Sequence, residues 1–377
     1  MASGRSPRRC TNFAASVEAG AGRLSVVRVL VAMSGGVDSS VAAALLVEQG
    51  HEVVGATLKL WGGDSDSGCC SVADVADARR VADALGIEHH VFNYSDDFMA
   101  KVVTPYVDGI ARGVTPNPCI ECNRSIKFDV LLSRAQRLGF DKVATGHHAQ
   151  IGQRDGRPVL TRGFDPLKDQ SYVLGYLTGP QLAQLLLPIG GMTKDDVRAH
   201  AHRTGLRTAA KPDSQDVCFI EASKGREAFF APRIALTTAI VRDRVTGEDV
   251  GTLPSAQLVT VGQRRGLAPG RDGERRYVAS VDLEAGVVEV DRLENVISDT
   301  LLIDPASLTY AYDVIPDDTR VVAQVSAHGK PLSAVWRGNE SQSLTFDEAQ
   351  RPVAAGQTVV LYDAQDPEVV LGAAVVR

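Results

Sequence analysis

A short apolar segment followed at once by a glycine-rich loop most narrows the folds open to this chain. Val27–Ala32 is apolar and β-branched, as expected of a strand buried in a parallel sheet. The loop SGGVDSS (Ser34–Ser40) comes next, and Val41–Gln49 then has the composition of a helix that ends at Gly50. This order predicts a doubly wound α/β sheet with an anion-binding site at the helix N-terminus.

Later segments continue the alternation. Strands are predicted at Glu52–Leu58, His89–Phe92 and Lys142–Thr145, and helices from Ser71 to Gly86, from Asn123 to Gly139 and from Thr193 to Thr204. From about Ala239, short alternating runs separated by Gly, Pro and Asp turns indicate β structure.

These patterns predict three domains preceded by an extension. We expect an α/β catalytic domain over residues 27–223, a small β-rich linking domain over 224–293 and a C-terminal β-barrel-like domain over 294–377. Residues 1–26 are expected to be a flexible N-terminal extension, with an Arg-rich organelle transit peptide as the alternative. No apolar run is long enough to span a membrane, so a cytoplasmic protein is expected.

The charge of the chain is unevenly distributed. The formal net charge of -6 would, taken alone, argue against a nucleic-acid partner. Residues 301–377 hold ten acidic and five basic residues, so the first 300 residues are nearly neutral. Residues 264–276 hold five arginines that begin within the motif TVGQRRGL, namely Arg264, Arg265, Arg271, Arg275 and Arg276. Taken alone, such an arginine-rich turn is typical of a solvated loop.

The chemistry of the SGGVDSS loop points to a nucleotide. Its glycines allow close approach of the backbone, and Ser34, Ser39 and Ser40 can donate hydroxyl groups to phosphate. Asp38 can hold Mg²⁺ or orient the loop. The loop lacks the lysine of GxxxxGK[ST] and instead resembles the pyrophosphate loop of the ATP pyrophosphatases, which adenylate a substrate and release pyrophosphate.

Two of the six cysteines stand among polar, loop-forming residues. Cys122 follows the proline-rich TPNPC segment and is expected near a helix N-terminus, which favours the thiolate. Cys218 lies in DSQDVCFI. Cys10, Cys69 and Cys70 are interpreted as inert.

Six motifs carry a family resemblance. SGGVDSS, TPNPCIECN, ATGHHA, KDQSYVL, KPDSQDVCFI and TVGQRRGL occur in the order found in the tRNA-specific 2-thiouridylases. The chain resembles this family, with its adenine nucleotide hydrolase-like fold, from about Val27 to its C-terminus. Those enzymes replace the C2 oxygen of the wobble uridine with sulfur in certain tRNAs.

The resemblance implies a role for individual residues. Cys122 corresponds to the nucleophile and Cys218 to the cysteine that carries the persulfide, with a transient disulfide between them. The residues implied in ATP binding are Ala32, Met33, Ser34, Gly35, Gly36, Val37, Asp38, Ser39, Leu58 and Gly146. Those implied around the target base are Asn117, Pro118 and Cys119, and those implied in further tRNA contacts are His147, Lys168, Asp169, Gln170, Arg264, Arg265 and Gln357. With the resemblance, the arginine segment 264–276 is expected to be a phosphate-contacting face.

The same resemblance implies cofactors and partners. These are ATP, Mg²⁺, tRNAs of the Lys, Glu and Gln type, and a persulfide donor such as a cysteine desulfurase or a sulfur relay protein. Because Cys119, Cys122 and Cys218 are three potential thiolates, an iron–sulfur cluster or a zinc ion is an alternative to the persulfide. The sequence also leaves open an ATP-dependent amidotransferase and a catalytically silent tRNA-binding protein.

Overall fold

The structure is a computed structural model that describes residues 26–61, 71–213, 217–221 and 223–377. The expected N-terminal extension up to residue 25 and the cysteines Cys10, Cys69 and Cys70 lie outside the described residues. The strands are β1 (Arg28–Ala32), β2 (Glu52–Lys59), β3 (Glu88–Asn93), β4 (Lys142–Ala144), β5 (Ala149–Arg154), β6 (Arg157–Arg162), β7 (Leu185–Leu186), β8 (Ala239–Asp243), β9 (Asp249–Leu253), β10 (Tyr277–Asp282), β11 (Val287–Asp291), β12 (Ser298–Tyr310), β13 (Thr319–Gln324), β14 (Leu332–Arg337), β15 (Ser343–Gln350), β16 (Thr358–Asp363) and β17 (Val370–Val376).

The α-helices are α1 (Val37–Glu48), α2 (Val72–Leu85), α3 (Ser95–Phe98), α4 (Thr104–Ala111), α5 (Pro118–Glu121), α6 (Leu131–Arg137), α7 (Gly179–Leu182), α8 (Lys194–Arg203), α9 (Gly225–Phe230) and α10 (Leu293–Val296). Two π-helical segments, Met99–Val103 and Cys122–Val130, join α3 to α4 and α5 to α6 without a break. Short 3₁₀ turns span Ser171–Leu174, Arg207–Ala210 and Ala256–Leu258.

A five-stranded parallel sheet forms the centre of the first domain. Its strand order is β3-β2-β1-β4-β7, so β1 lies in the middle. Val29 and Val31 of β1 pack on one face with residues of α1, α2 and α8, whereas Leu30 packs on the other face with the helices around Cys122. The predicted doubly wound α/β fold is therefore confirmed, since buried strands with helices on both faces need apolar residues at every position.

Two helix boundaries follow from their caps as the sequence predicted. Ser71 and Asp74 form a capping box at the start of α2, and Gly86 ends this helix in the left-handed conformation with φ 68°. Thr193 and Asp196 form the same motif at the start of α8. Both helices therefore begin at the expected residue, because a capping box satisfies the backbone N–H groups that the first turn leaves open.

The remainder of the chain is β-rich, as predicted. One sheet has the order β10-β11-β8-β9, and the last six strands close into a barrel in the order β12-β15-β14-β13-β16-β17. Trp336 fills the centre of the barrel and is fully buried. The barrel packs against the first domain, where the Arg162 guanidinium lies 3.8 Å from the centroid of the Tyr362 ring. Among the described residues, no helix combines the length and apolar character needed to cross a membrane.

Candidate active site

The SGGVDSS loop turns sharply between β1 and α1. Gly35 has φ +72°, and a Cβ atom there would lie 2.3 Å from the backbone oxygen of Asp74. Ser39 Oγ accepts a hydrogen bond from the Ser34 backbone N–H at 3.1 Å, and Ser40 Oγ donates to the Gly36 carbonyl at 2.7 Å. The turn is thus held by its own hydroxyl groups, with the start of α1 open to an anion.

A second close approach joins the ATGHH motif to this loop. Gly146 follows β4, and a Cβ atom there would lie 2.5 Å from the backbone nitrogen of Ser39. The structure therefore brings Gly146 and the predicted residues Ala32–Ser39 together, because parallel strands end at the same edge of the sheet. Met33 and Leu58 also belong to this region, but their side chains are buried in the core.

Asp38 is the carboxylate of the loop, and two basic side chains surround it. Lys194 Nζ donates to both of its oxygens, at 2.7 and 2.8 Å, and His148 Nε2 lies 3.3 Å away. Burial raises the pKa of Asp38, but the hydrogen bonds from His148 and Lys194 outweigh this effect and lower the pKa below 3.8. Asp38 is therefore held as a carboxylate.

Lys194 was not among the predicted site residues. It is the first residue of α8, it is only 8% exposed, and its Nζ also lies 2.8 Å from Asp213. A helix N-terminus favours anions, so the helix itself does not explain a buried lysine at this position. Lys194 pairs with the loop carboxylate Asp38 and with Asp213, and so places a positive charge beside the phosphate loop. It is therefore a candidate ligand for a phosphate group.

Asp213 connects further cations to the loop. It accepts hydrogen bonds from Lys168 at 2.8 Å and from Arg198 at 2.9 Å, in addition to its contact with Lys194. On the other side, Lys211 Nζ donates to the Gly35 carbonyl at 3.0 Å. Lys211 and Asp213 both lie in the motif KPDSQDVCFI, so this motif could have identified them as candidate site residues.

The ion pairs of Asp213 predict acid-dependent stability. Burial opposes its ionisation, yet the hydrogen bonds from Lys168 and Lys194 lower its pKa from 3.8 to about 2. Because the pKa of Asp213 is lower in the folded than in the unfolded protein, its ionised form contributes about 2 kcal/mol to the free energy of unfolding. This contribution is complete above pH 4 and is lost as the pH falls towards 2. Urea unfolding should show Asp213→Asn less stable than the wild type by about this amount at pH 6, and by about half of it at pH 3.

The control for this prediction is Asp195→Asn, in the first turn of α8. The Asp195 side chain is exposed and accepts no hydrogen bond that the described residues reveal. A difference between Asp213→Asn and the wild type that stayed constant from pH 6 to pH 3 would contradict the assignment.

The TPNPC segment starts the helix that carries Cys122. Asn117 Oδ1 accepts hydrogen bonds from the backbone N–H groups of Cys119 and Ile120, at 3.1 and 3.2 Å, and Pro118 occupies the first helical position. The expected start at Asn123 was therefore wrong, because this Asn-Pro cap begins the helix at Pro118. Cys122 is the fifth residue of the continuous helix.

The structure places the two predicted catalytic cysteines on the same apolar cluster. Cys122 is 8% exposed within this cluster, and Cys218 is half-buried against it. Phe219 anchors the Cys218 segment, with its ring centroid 5.8 Å from that of Tyr106 and 5.6 Å from that of Phe98. Ala32, which ends β1 before the phosphate loop, packs against the cluster as well.

The three cysteines do not form a metal centre. Cys119 is exposed, whereas Cys122 faces the protein interior. No group of three or more His, Cys, Asp or Glu side chains suited to a metal ion occurs in the part of the chain that the structure describes. The residues therefore do not fit the iron–sulfur or zinc alternative.

Several predicted tRNA-contacting side chains are engaged within the protein. His147 is buried, its Nδ1 lies 2.7 Å from Thr145 Oγ1, and burial lowers its pKa well below the ordinary value. Asp169 accepts from Ser171 Oγ at 2.9 Å, and Gln170 Oε1 accepts from the His148 backbone N–H at 2.8 Å. Gln357 Nε2 donates to the Thr115 carbonyl at 2.6 Å.

The arginines of the segment 264–276 differ in their exposure to solvent. Arg264 and Arg265 are exposed, and neither side chain has an ion-pair partner among the described residues. Arg276 is buried instead, with Nε donating to Asp243 Oδ2 at 2.8 Å. Counting Arg276 as part of a phosphate-contacting surface was therefore wrong, because a buried carboxylate already neutralises it.

Comparison with known proteins covers almost the whole chain. Residues 27–222 match the family described as tRNA methyl transferase HUP domain, and residues 299–376 match the aminomethyltransferase beta-barrel domain. The tRNA-specific 2-thiouridylase MnmA of Mycobacteroides abscessus is 45% identical, over 93% of this chain and 99% of the relative. The protein of the same name from Carboxydothermus hydrogenoformans is 42% identical, over 89% of this chain and 94% of the relative.

Solved structures are more distant. The U34-tRNA thiolase NcsA from Methanococcus maripaludis with its [4Fe-4S] cluster has a TM-score of 0.34 and 19% identity, over 51% of this chain and 61% of that chain. NMN synthetase from Francisella tularensis has a TM-score of 0.34 and 20% identity, over 50% of this chain and 67% of that chain. These likenesses are too weak to support an argument, whereas the curated relatives establish that this chain belongs to the tRNA-specific 2-thiouridylase family.

Proposed function

We propose that this chain is a tRNA-specific 2-thiouridylase that uses ATP to replace the C2 oxygen of a wobble uridine with sulfur. The observation that carries the proposal is the single apolar cluster that Cys122, Cys218 and Ala32 share. Ala32 leads directly into the phosphate loop, so the proposal places the activated uridine next to both thiols. An amidotransferase or a silent tRNA-binding protein would leave both cysteines without a role.

The first step activates the uridine. Its C2 oxygen attacks the α-phosphorus of ATP, pyrophosphate leaves and the N3 proton is released. This adenylation is needed because an unmodified carbonyl oxygen is a poor leaving group. The loop residues Ser34–Ser39 and Gly146 hold the phosphates, and Lys194 supplies a charge-assisted contact. Asp38 would hold Mg²⁺, since this ion needs only one or two carboxylates when phosphates fill other positions, and the ion would screen the phosphate charge.

The second step transfers sulfur. The terminal sulfur of a persulfide on Cys218 attacks C2, and AMP leaves with the original oxygen. The Cys122 thiolate then attacks Cys218 Sγ, which breaks the S–S bond to the transferred sulfur and forms a Cys122–Cys218 disulfide. The thiocarbonyl forms as N3 regains its proton, and a cellular dithiol reductant restores both thiols with two electrons.

The remaining predicted contacts complete the proposal. Asn117, Pro118 and Cys119 surround the target base, because the helix that carries Cys122 begins there. Lys168, Asp169, Gln170 and His147 order the loops that face the tRNA, and Arg264 and Arg265 contact its phosphates. We expect tRNAs of the Lys, Glu and Gln type as substrates, a cysteine desulfurase or sulfur relay protein as donor, and a cytoplasmic location.

The arginine pair is tested by Arg264→Gln with Arg265→Gln. Removing two phosphate contacts should weaken tRNA affinity about tenfold at physiological salt, and reduce the slope of log affinity against log salt by about 1.5. Fluorescence anisotropy with labelled tRNA at four salt concentrations measures both quantities. ATP binding should stay unchanged.

The matched control is Arg242→Gln with Arg244→Gln, which removes the same charge from the adjoining sheet. These guanidinium groups already pair with Asp249 at 2.8 Å and with Glu289 at 2.6 Å. Equal salt slopes for the two double variants would show that Arg264 and Arg265 make no specific contact.

Mass spectrometry of nucleosides tests the function itself. Unmodified tRNA is incubated with the protein, ATP, Mg²⁺ and a persulfide donor, and then digested. We expect one 2-thiouridine per substrate tRNA, together with AMP and pyrophosphate. Tight tRNA binding with no pyrophosphate release would favour the silent binding protein instead.

A further inference from the structure

Side chains from other elements fix two carbonyl groups at the start of the phosphate loop. Thr57 Oγ1 donates to the Met33 carbonyl at 2.9 Å, and Lys211 Nζ donates to the Gly35 carbonyl at 3.0 Å. Within the described part of the chain, the backbone N–H groups of Gly35 and Gly36 donate no hydrogen bond. The carbonyl groups are thus occupied inside the protein, while the N–H groups stay open to an anion.

The bond from Lys211 sets the direction of the next amide. In a trans peptide group the C=O and N–H bonds point in opposite directions. Because the Gly35 carbonyl points to the Lys211 ammonium, the Gly36 N–H points to the other side, where α1 begins. Lys211 therefore turns an N–H donor towards the position that a phosphate group would take.

The Lys211 ammonium is fully engaged in this arrangement. Its Nζ also donates to Asp74 Oδ1 at 2.7 Å and to Asp77 Oδ2 at 2.8 Å, so that each of its protons has an acceptor. Burial opposes the charge, but the hydrogen bonds to Asp74 and Asp77 outweigh this effect and raise the pKa of Lys211 above 10.5. Lys211 thus neutralises two carboxylates near the start of α2 that would otherwise repel a nucleotide.

The backbone around Lys211 is anchored to α8. Arg198 Nη1 donates to the Ala209 carbonyl at 2.8 Å and to the Lys211 carbonyl at 3.1 Å. Arg198 Nη2 donates to Asp213 Oδ1 at 2.9 Å. Lys211 begins the motif KPDSQDVCFI, in which Cys218 also lies. The segment that leads to Cys218 is therefore tied at its start to both α8 and the phosphate loop.

From these contacts we infer that Lys211 is a positioning residue for ATP, which orients the Gly36 N–H towards the phosphates and ties the phosphate loop to the segment that leads to Cys218. The inference rests on the proposed function, in which this loop holds the phosphates of ATP. It adds that the motif of the persulfide cysteine takes part in nucleotide binding as well as in sulfur transfer.

The test compares Lys211→Met and Lys211→Arg with the wild type, in calorimetric titrations with ATP and Mg²⁺ and without tRNA. Lys211→Met should weaken ATP binding about tenfold or more, because the donor to Gly35 is lost. Lys211→Arg should recover part of the affinity, since it keeps the charge and the donors. In the ATP-free protein, hydrogen exchange of the peptide spanning residues 33–41 should become faster in Lys211→Met. Lys101→Met, in which the lysine pairs with Asp97, should match the wild type.

A triple variant separates orientation from charge. Lys211→Met combined with Asp74→Asn and Asp77→Asn leaves no unpaired carboxylate, yet ATP binding should stay weak because Gly35 still lacks its donor. Recovery of wild-type affinity in this variant would show that Lys211 only neutralises charge, and would overturn the inference. The same variant decides the question if Lys211→Met alone fails to fold. Asp74→Asn with Asp77→Asn, in which Lys211 is kept, is the matched control and should bind ATP at least as tightly as the wild type.

Hydrogen exchange gives a second result that can overturn the inference. An unchanged exchange rate at residues 33–41 in Lys211→Met would show that Lys211 does not order the loop. Both measurements need neither tRNA nor a sulfur donor. If the wild type binds ATP but forms no 2-thiouridine, the proposed function fails while the role of Lys211 is still decided. Thermal unfolding of each variant controls for loss of the fold.

Discussion

Replacing Cys218 by serine should lower the rate of 2-thiouridine formation by about a thousandfold or more, while one pyrophosphate per enzyme is still released in a burst. A serine hydroxyl cannot carry the persulfide, but the phosphate loop that adenylates the uridine is intact. Replacing Cys122 by serine should also stop product formation, with the transferred sulfur trapped between Cys218 and the tRNA. Quench-flow assays of pyrophosphate and mass spectrometry of the protein–RNA adduct measure these outcomes.

Cys10→Ser is the matched control, since the family resemblance gives Cys10 no role, and it should react like the wild type. Full thiolation by Cys218→Ser with a persulfide donor would disprove the sulfur-transfer scheme. Anaerobic purification with iron and sulfide analysis provides an independent check. Stoichiometric iron that disappears in Cys119→Ser would restore the cluster alternative that the geometry argues against.

The second large effect is expected at Lys194. Lys194→Gln should lower kcat/KM for ATP about 100-fold, because a charge-assisted contact to phosphate is lost within a partly buried site. Lys194→Arg should recover part of the rate, since it keeps the positive charge. Pyrophosphate release at varied ATP concentration measures the effect. Lys101→Ala, which removes a partly exposed lysine paired with Asp97 at 3.7 Å, is the control.

Stability must be measured alongside activity for this residue. Lys194→Gln removes the cation that Asp38 and Asp213 share, and weaker compensation of a partly buried charge destabilises a fold. Thermal unfolding with and without saturating ATP separates the two effects, because a variant that still binds ATP gains the same ligand-induced shift as the wild type. An unchanged shift would remove Lys194 from the nucleotide site.

Local sequence signals predicted much of the fold. The strand-loop-helix at Arg28–Glu48 and the capping boxes at Ser71 and Thr193 depend on residues close together in the chain, so their structures were accessible from the sequence. The start of the Cys122 helix was misjudged because the Asn117-Pro118 cap was interpreted as part of a rigid loop. The same two residues are a regular helix start.

The sequence by itself determined the chemistry of this protein: a phosphate loop, two cysteines in polar motifs and a β-rich C-terminal region. Only the tertiary structure decided which polar and charged groups meet. Lys194 reaches Asp38 across 156 residues, Gln357 reaches Thr115 across 242, and Arg276 is buried by Asp243 rather than exposed to RNA. Such pairs depend on strand order and domain packing, which place distant residues together and leave no periodic pattern along the chain.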